Sequence, residues 1–425
     1  VVDYTASGLI ESHRNNKLIC RLGLIYSVVF NLGMLGFFKY TNFFVGNLNA
    51  LFGLSLPTIS FVLPLGISFY TFQTMSYTID VYLGKVKAER NIIDFGAFVV
   101  LFPQLIAGPI VRYTDINREL KERQINLPQI QDGIKLFILG LGSKVRIPHN
   151  VGALWTEIEA IGAGEGFLSI STPLAWMAVF AYSLQIYFDF SGYSDMAIGL
   201  GKMFGFHFDE NFNYPYVSRS ITEFWRRWHM SLSFWVRDYL YQPIAANKRY
   251  WGPWGIVYAL VVTFVLLGVW HGAGWNYVIY GLIQGLIISY EMVTVAYRNK
   301  VETSVGKHVF GVYSILRTYL LFAFSLLFFR LPLLSDAGYM ISHLSFNMHT
   351  SIKELRLGMT DQECIVAGVA VVLLFLYEYF MSKRDLLQAL SRCHRIIRWS
   401  IYYLLVLLMF LFGQFGSEDF IYLQF

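Results

Sequence analysis

The sequence predicts an all-α protein that crosses a membrane several times, and three observations support this. Of its 425 residues, 56% are hydrophobic and 18% aromatic, whereas only 14% are charged. Soluble domains carry about 25% charged residues, so this chain has too few to cover a globule of its size in water. Its mean hydropathy is +0.49. Several apolar stretches approach the length of about 20 residues that a spanning helix needs. We therefore expect one continuous helical membrane domain over residues 1–425.

The first third of the chain contains three apolar stretches followed by a charged loop. Residues 22–38 predict a first span, and residues 59–77 predict a second one that a proline and a glycine interrupt. Residues 92–111 predict a third, with two further prolines. Such residues at membrane depth indicate bent or broken helices, whose backbone groups the protein interior or a wet cavity must satisfy. The charged, amphipathic loop 112–124 is expected to lie on a membrane face.

The middle of the chain is less uniformly apolar. A short apolar segment at 133–145 precedes a clear span at 173–190, which leads directly into a segment with two aspartates. Residues 222–240 are too charged to cross a bilayer as a simple span and too aromatic to lie in water. They predict an interfacial or re-entrant helix, for which Thr222 is a suitable N-cap.

The last part of the chain alternates apolar stretches with basic loops. Spans are expected at 256–270, 277–292, 312–331, 365–381 and 397–412, giving about nine or ten membrane segments in all. By the positive-inside rule, the basic loop before the last span is cytoplasmic, and counting back puts residue 271 near the outer end of its span. The basic residues of that loop are Lys383, Arg384, Arg392, Arg395 and Arg398.

The charge balance and the cysteines exclude several functions. The net charge of +5 is explained by basic loops, so it does not indicate nucleic-acid binding. Cys20, Cys364 and Cys393 lie far apart and have no metal-ligand spacing, so neither a zinc site nor a disulfide framework is predicted. No nucleophile elbow, phosphate-binding loop or dinucleotide fingerprint occurs in a suitable context. We expect no bound cofactor and no metal.

Two histidines in membrane-associated segments are candidates for chemistry. His271 lies in the sequence VWHGAGWN (269–276), between two apolar stretches, where an ionisable group is costly and indicates a functional site. Its imidazole could take a proton from a hydroxyl near neutral pH, since the ordinary histidine pKa is about 6.5. Trp270 supplies apolar surroundings, and Asn276 follows in the same turn. His229 is the second candidate; the alternative for each histidine is a purely structural, packed side chain.

A group of charged and tyrosine residues could line a path for substrate. The charged residues would form ion pairs that hold a cavity open, although most intramembrane charges of this kind are structural partners. They are Asp189, Asp195, Glu223, Arg226, Arg227 and Arg237. The tyrosines are expected first in the interfacial aromatic belt. They are Tyr187, Tyr193, Tyr214 and Tyr216.

Five motifs make the chain resemble the membrane-bound O-acyltransferase (MBOAT) superfamily. The resemblance is strongest to its AlgI-like branch of bacterial alginate O-acetyltransferases, which is related to the D-alanyl-transferring DltB proteins. The block FWRRWH together with WHG is highly specific, whereas WHG alone would be weak. The motifs occur in family order at 108–113 (GPIVRY), 187–197 (YFDFSGYSDMA), 224–240 (FWRRWHMSLS to RDYL), 269–272 (VWHG) and 420–422 (FIY).

The resemblance implies a ring of bent helices around a central funnel or tunnel, in a bacterial cytoplasmic membrane. It implies that His271 is the catalytic histidine and His229 the second family histidine, which would orient substrate or stabilise charge. An acetyl group would pass from a cytoplasmic thioester, acetyl-CoA or a carrier-linked donor, to a hydroxyl of an extracytoplasmic polysaccharide or of a partner acetyltransferase. It also implies family spans that precede Val1.

Two alternatives remain at this stage. One is D-alanyl transfer to teichoic acid, which would need a carrier-protein donor. The other is a transporter or flippase that uses the aspartates and arginines as a pathway, which broken helices and buried charges permit. The arginine-rich FWRRWH block and the FIY tail favour acetyl transfer, and a transporter has no need of a Trp-His-Gly motif.

Overall fold

The computed structural model describes residues 1–59, 63–106, 108–165, 171–331, 333–344, 376, 379–380, 390 and 392–412. Within these ranges the chain is helical and contains no strand, as predicted. The helices of the N-terminal half are α1 (Val2–Ser12), α2 (Lys17–Leu35), α3 (Thr41–Phe52), α4 (Ile67–Tyr82), α5 (Ile92–Val99), α6 (Phe102–Leu105), α7 (Tyr113–Lys121), α8 (Leu127–Glu165) and α9 (Thr172–Met203). A π-helical turn, Gly36–Tyr40, joins α2 to α3.

The C-terminal half begins with short helices and continues with long ones. The short helices are α10 (Ile221–Trp225), α11 (Met230–Val236) and α12 (Gln242–Asn247), with a π-helical turn, Arg237–Tyr241, between the last two. The long or terminal helices are α13 (Pro253–His271), α14 (Trp275–Val293), α15 (Val295–Val305), α16 (Lys307–Arg330), α17 (Leu334–His343) and α18 (Arg395–Phe412).

Three helical units are long and apolar enough to cross a membrane: Lys17–Phe52, Pro253–His271 and Lys307–Arg330. A fourth candidate is the pair α14 and α15, which bend by 67° at a short break. Together with many exposed large apolar side chains on these helices, the units are those of a multi-pass membrane protein. By length and hydropathy, the described residues therefore supply fewer spans than the nine or ten expected.

Two predicted spans have a different structure. Residues 92–111 form two short helices, α5 and α6, because the prolines interrupt the helical hydrogen bonding. In place of the predicted span at 59–77 the structure has α4, a helix of 16 residues that begins only after the left-handed Gly66. The predicted span at 365–381 and the FIY motif at 420–422 lie outside the described ranges, apart from a few isolated residues.

Helices α8 and α9 pack at very short range through two reciprocal pairs of glycines. A Cβ on Gly140 would lie 2.5 Å from the carbonyl oxygen of Gly192, and one on Gly192 would lie 2.6 Å from that of Gly140. Gly133 and Gly199 repeat this arrangement two turns away, at 2.5 and 2.6 Å. Small residues at the contact let two backbones approach closely, which is how helices associate in a membrane.

The functional segments are attached to this frame by buried polar groups. The Glu89 carboxylate accepts hydrogen bonds from the Tyr113 hydroxyl (2.6 Å), the Lys121 ammonium (2.8 Å) and two backbone N–H groups. Burial by itself opposes its ionisation, but the hydrogen bonds from Lys121 and Tyr113 outweigh this and lower the pKa of Glu89 to about 2. The loop before α5 is thereby joined to α7, which occupies most of the segment 112–124 that was predicted as an amphipathic loop on a membrane face.

Candidate functional site

His271 is the last residue of α13, and its neighbours on the π-helical turn after α2 close that helix end. The Tyr40 hydroxyl donates to the carbonyl of Val269 (2.6 Å). The Lys39 ammonium donates to the carbonyls of Trp270 (2.7 Å) and His271 (2.9 Å). The last carbonyls of a helix have no intrahelical partner, and a cation there also complements the helix dipole. These three hydrogen bonds therefore fix the position of His271 at the end of α13.

The imidazole of His271 is buried, with 6% of the residue exposed, and its walls are aromatic. Its centroid lies 4.9 Å from that of Trp270, 5.1 Å from Phe329 and 6.2 Å from Tyr280. A cavity of ≈ 40 Å³ opens beside it. A buried water needs roughly 10–15 Å³, so this cavity has room for a small group such as an acetyl. The cavity is lined by His271, Lys39, Trp270, Phe69, Ile106 and residues of the segment before α4.

The glycine after His271 is required for the close approach of the next helix. A Cβ on Gly272 would clash with the ring of Tyr277 on α14. In the same helix pair, Gly268 and Gly281 allow α13 and α14 to pack backbone against backbone. Asn276 is buried, and the indole of the exposed Trp275 donates to the Asn47 side chain (2.9 Å).

The predicted helix over 222–240 is instead broken at His229. Ser220, not Thr222, caps the first piece, α10, by accepting from the backbone N–H of Glu223 (3.0 Å). His229 has a left-handed backbone (φ 44°) and α11 begins after it. This conformation is unfavourable for a residue with a side chain and persists only where the surroundings enforce it. The enforcing residue is Asn211, whose backbone carbonyl accepts from the backbone N–H of Met230 (2.8 Å).

The imidazole of His229 is buried in an aromatic enclosure that continues to His271. Its centroid lies 4.7 Å from that of Phe190 and 6.4 Å from those of Phe69 and Phe212. Phe69 in turn contacts Trp270, the neighbour of His271, at 5.9 Å. The structure therefore joins both predicted histidines to one aromatic cluster, because Phe69 contacts both the His229 ring and Trp270.

A stack of three rings joins α13, which ends at His271, to α11, which begins directly after His229. Phe72 of α4 lies between Trp270 and Trp235, with centroid distances of 5.1 and 4.1 Å and nearly parallel planes. Trp270 belongs to α13 and Trp235 to α11. Offset stacking of this kind stabilises a pair by about 0.5–1.5 kcal/mol beyond its buried area. Trp270 was predicted to give His271 an apolar environment, and its ring also packs against Phe72 of α4.

The other predicted site residues are distributed away from the cavity at His271. Asp189 pairs with Lys144 of α8, and Glu223 pairs with Arg227 at 2.9 Å. Arg227 also lines a separate cavity of ≈ 530 Å³. Arg226 is exposed, and Arg237 pairs with its neighbour Asp238. Asp195 and Tyr193 are half-buried on α9.

Two of the predicted belt tyrosines are core residues instead. Tyr187 and Tyr216 are buried, with ring centroids 4.9 Å apart, and the Tyr216 hydroxyl donates to the carbonyl of Ser183. Because the carbonyl of Ser183 satisfies its hydroxyl, Tyr216 can be buried in the bundle without an unpaired polar group. Within the described ranges, no group of three or more candidate ligands is placed to hold a metal ion.

Sequence reasoning missed four residues that position the site. Lys39 and Tyr40 hold the end of α13, and Asn211 holds His229. Glu291 near the end of α14 accepts from the backbone N–H groups of Ile221 (2.9 Å) and Thr222 (3.0 Å), and so fixes the start of α10. A lysine at the end of an apolar span and a glutamate within one were visible signals; Asn211 gave none.

Comparison with known proteins identifies relatives of this chain. The model of the MBOAT, membrane-bound O-acyltransferase family, matches residues 87–331, which include both histidines. The chain is 46% identical over 272 residues to the probable alginate O-acetylase AlgI of Pseudomonas putida, covering 63% of this chain and 54% of the relative.

Two further relatives have other acceptors in their names. The peptidoglycan O-acetyltransferase of Helicobacter pylori is 38% identical over 300 residues, covering 63% of this chain and 55% of the relative. The teichoic acid D-alanyltransferase of Bacillus subtilis is 32% identical over 238 residues, covering 53% and 58%. The chain therefore spans between half and two thirds of the length of these three relatives.

Proposed function

The chain belongs to the membrane-bound O-acyltransferase family, and on that premise we propose that it moves an acetyl group to hydroxyls of an extracytoplasmic polysaccharide. The donor would be a cytoplasmic thioester, acetyl-CoA or a carrier-linked acetyl group. The acceptor hydroxyl would belong to the polysaccharide or to a partner acetyltransferase outside the cytoplasm. The names of the relatives at 46% and 38% identity, alginate O-acetylase and peptidoglycan O-acetyltransferase, support this acceptor class.

In this proposal His271 is the general base. Its imidazole takes the proton of the acceptor hydroxyl as the oxygen attacks the thioester carbonyl, and a tetrahedral intermediate forms. The C–S bond then breaks, and the thiolate recovers a proton from the imidazolium. A thioester is already activated, so positioning and a base are the main requirements. The observation that carries the proposal is the buried His271 beside a cavity of acetyl size, within the matched family region.

The ammonium of Lys39 fits the same reaction. It lines the cavity with His271 and is fixed by two carbonyl groups. Negative charge develops on the carbonyl oxygen during attack, and a preorganised cation nearby favours it. We therefore assign Lys39 to the site together with His271.

D-alanyl transfer to teichoic acid is the second candidate. It is supported by the relative at 32% identity, which is named a teichoic acid D-alanyltransferase. The higher identity to the alginate O-acetylase favours the acetyl group. The transporter hypothesis has no comparable support, because the matched family is one of acyltransferases.

The test is acyl transfer by the purified protein in liposomes, with labelled acetyl-CoA as donor. Wild type should release CoA and label an added polysaccharide, His271→Ala should do neither, and His229→Ala should be strongly impaired. Retained folding of both variants is checked by thermal unfolding. Transfer by His271→Ala at the wild-type rate would refute the assignment. Turnover only with a carrier-linked D-alanyl donor would select the second candidate.

A further inference from the structure

We propose that Asn211 is a positioning residue that holds His229 in one tautomer, with the proton on Nδ1 and the lone pair on Nε2. Nε2 then serves as a hydrogen-bond acceptor for the reacting hydroxyl. The catalytic part of this inference rests on the proposed function, whereas the tautomer does not. Asn211 lies on the loop between α9 and α10, 18 residues before His229, and is buried, with 1% exposed.

The orientation of the Asn211 amide follows from its partners. The backbone N–H of Ser231 can only donate, and it lies 3.2 Å from Oδ1. The Ser231 hydroxyl lies 2.9 Å from the same atom. On the other side, Nδ2 donates to the hydroxyl of Ser194 at 2.9 Å. The carbonyl oxygen of the amide therefore faces α11, and its NH₂ group faces α9.

The tautomer of His229 follows from that orientation. Nδ1 of the imidazole lies 3.1 Å from the same oxygen, Oδ1 of Asn211. Two lone pairs at this distance would repel, so Nδ1 carries the proton and donates it. In a neutral imidazole the other nitrogen then holds the lone pair, because the partner of one ring nitrogen decides the state of the other.

The network around Asn211 is anchored in a second family motif. The Ser231 hydroxyl donates to Asn211 and accepts from the backbone N–H of Ile110 (3.0 Å), which belongs to the GPIVRY segment. The orientation of the amide is therefore supported by groups from three parts of the chain, near residues 110, 194 and 231. A side chain that is held in this way can hold the imidazole in turn.

An amide at position 211 has a chemical consequence that a carboxylate would not have. A carboxylate beside Nδ1 would favour the protonated imidazolium, as aspartate does in hydrolase triads. The neutral amide fixes the ring without that charge, so it favours a neutral His229 that accepts at Nε2. Of the two roles expected for His229, this agrees with orienting substrate and not with stabilising charge, and it leaves His271 as the group that takes the proton.

The first experiment measures the tautomer without any substrate. The protein, labelled with ¹⁵N-histidine and reconstituted in liposomes, is studied by solid-state NMR, which separates protonated from unprotonated ring nitrogens. The His229 signals are identified by subtracting the spectrum of His229→Gln. We expect a protonated Nδ1 in wild type and a mixture of tautomers in Asn211→Ala. A protonated Nε2 in wild type would overturn the inference. Failure of the proposed function would appear separately, as absent acyl transfer.

The second experiment compares pH–rate profiles of Asn211→Ala, Asn211→Asp and the matched control Asn213→Ala. Asn213 lies on the same loop, and its hydrogen bonds to a described residue, Arg227, are made by its backbone N–H and carbonyl. We expect Asn211→Ala to lower kcat by about 10–100-fold, as losses of orienting residues do in metal sites. Asn211→Asp keeps an acceptor for Nδ1, so it should recover part of kcat at high pH, with the acid limb moved to higher pH. Equal losses in both Asn211 variants at every pH would assign a structural role only.

Discussion

The position of His271 is set by contacts to the carbonyl groups at the end of its helix. The Lys39 ammonium is hydrogen-bonded to two of these carbonyls and lines the same small cavity as the imidazole. One side chain thus fixes the end of the helix that carries His271 and also lines the cavity beside it. This arrangement makes the π-helical turn after α2, which precedes the matched family region of residues 87–331, part of the site.

Lys39→Met is expected to lower kcat for acyl transfer by about 100-fold, because a small displacement of a catalytic group costs roughly that much. Lys39→Gln, whose amide can still donate to both carbonyls, should retain more activity. Lys17→Met, at the exposed start of α2, is the matched control and should behave as wild type. The measurement is steady-state transfer of labelled acetyl groups. A kcat of Lys39→Met within twofold of wild type would show that the hydrogen bonds from Lys39 to the end of α13 are not needed for transfer.

At the scale of single helices, much of the architecture depends on backbone contacts between glycines. The pairs Gly140 with Gly192 and Gly133 with Gly199 leave no space for a Cβ between α8 and α9. Because α9 carries Phe190, which contacts the ring of His229, its distance from α8 also affects the enclosure of His229.

Gly140→Ala should therefore destabilise the protein by about 1–3 kcal/mol, the usual cost of overpacking a close contact. The matched control is Gly33→Ala in α2, where a Cβ would meet nothing within 4 Å. The control should be neutral or slightly stabilising, since alanine favours a helix over glycine. Unfolding temperatures in detergent measure both. Equal unfolding temperatures for the two variants would contradict the close packing of α8 and α9.

The sequence predicted helices best where apolar stretches were long and uninterrupted. The stretches that became α13, α14 and α16 were located within a few residues, and His271 was placed correctly at a helix end. The segment 222–240 was predicted as one helix because its residues are compatible with helical spacing. The break at His229 comes from Asn211, which is distant in sequence, and no periodicity reports a contact of that kind. Lys39 was missed for a similar reason, since its partners lie more than 200 residues away.

At the scale of the whole molecule, the two ends of the bundle differ in charge and in chemistry. One end holds His271, and Phe329 near the end of α16 contacts its ring. The opposite end includes the start of α13 and the bend between α14 and α16. Its basic residues are Lys248, Arg249, Arg298, Lys300 and Lys307. By the positive-inside rule we expect the basic end to face the cytoplasm and the end with His271 to face outward.

This orientation predicts opposite labelling of two single cysteines. In a background without Cys20, Cys364 and Cys393, a membrane-impermeant maleimide added to intact cells should label Trp275→Cys but not Thr303→Cys. Both positions lie on exposed residues of described helices, α14 and α15. Inverted vesicles should give the reverse pattern, which controls for accessibility. Labelling of Thr303→Cys from outside would show that the bundle has the opposite orientation in the membrane. In that orientation His271 would face the cytoplasm, so the thioester would reach it directly, and the acetyl group would not have to cross the protein before the reaction.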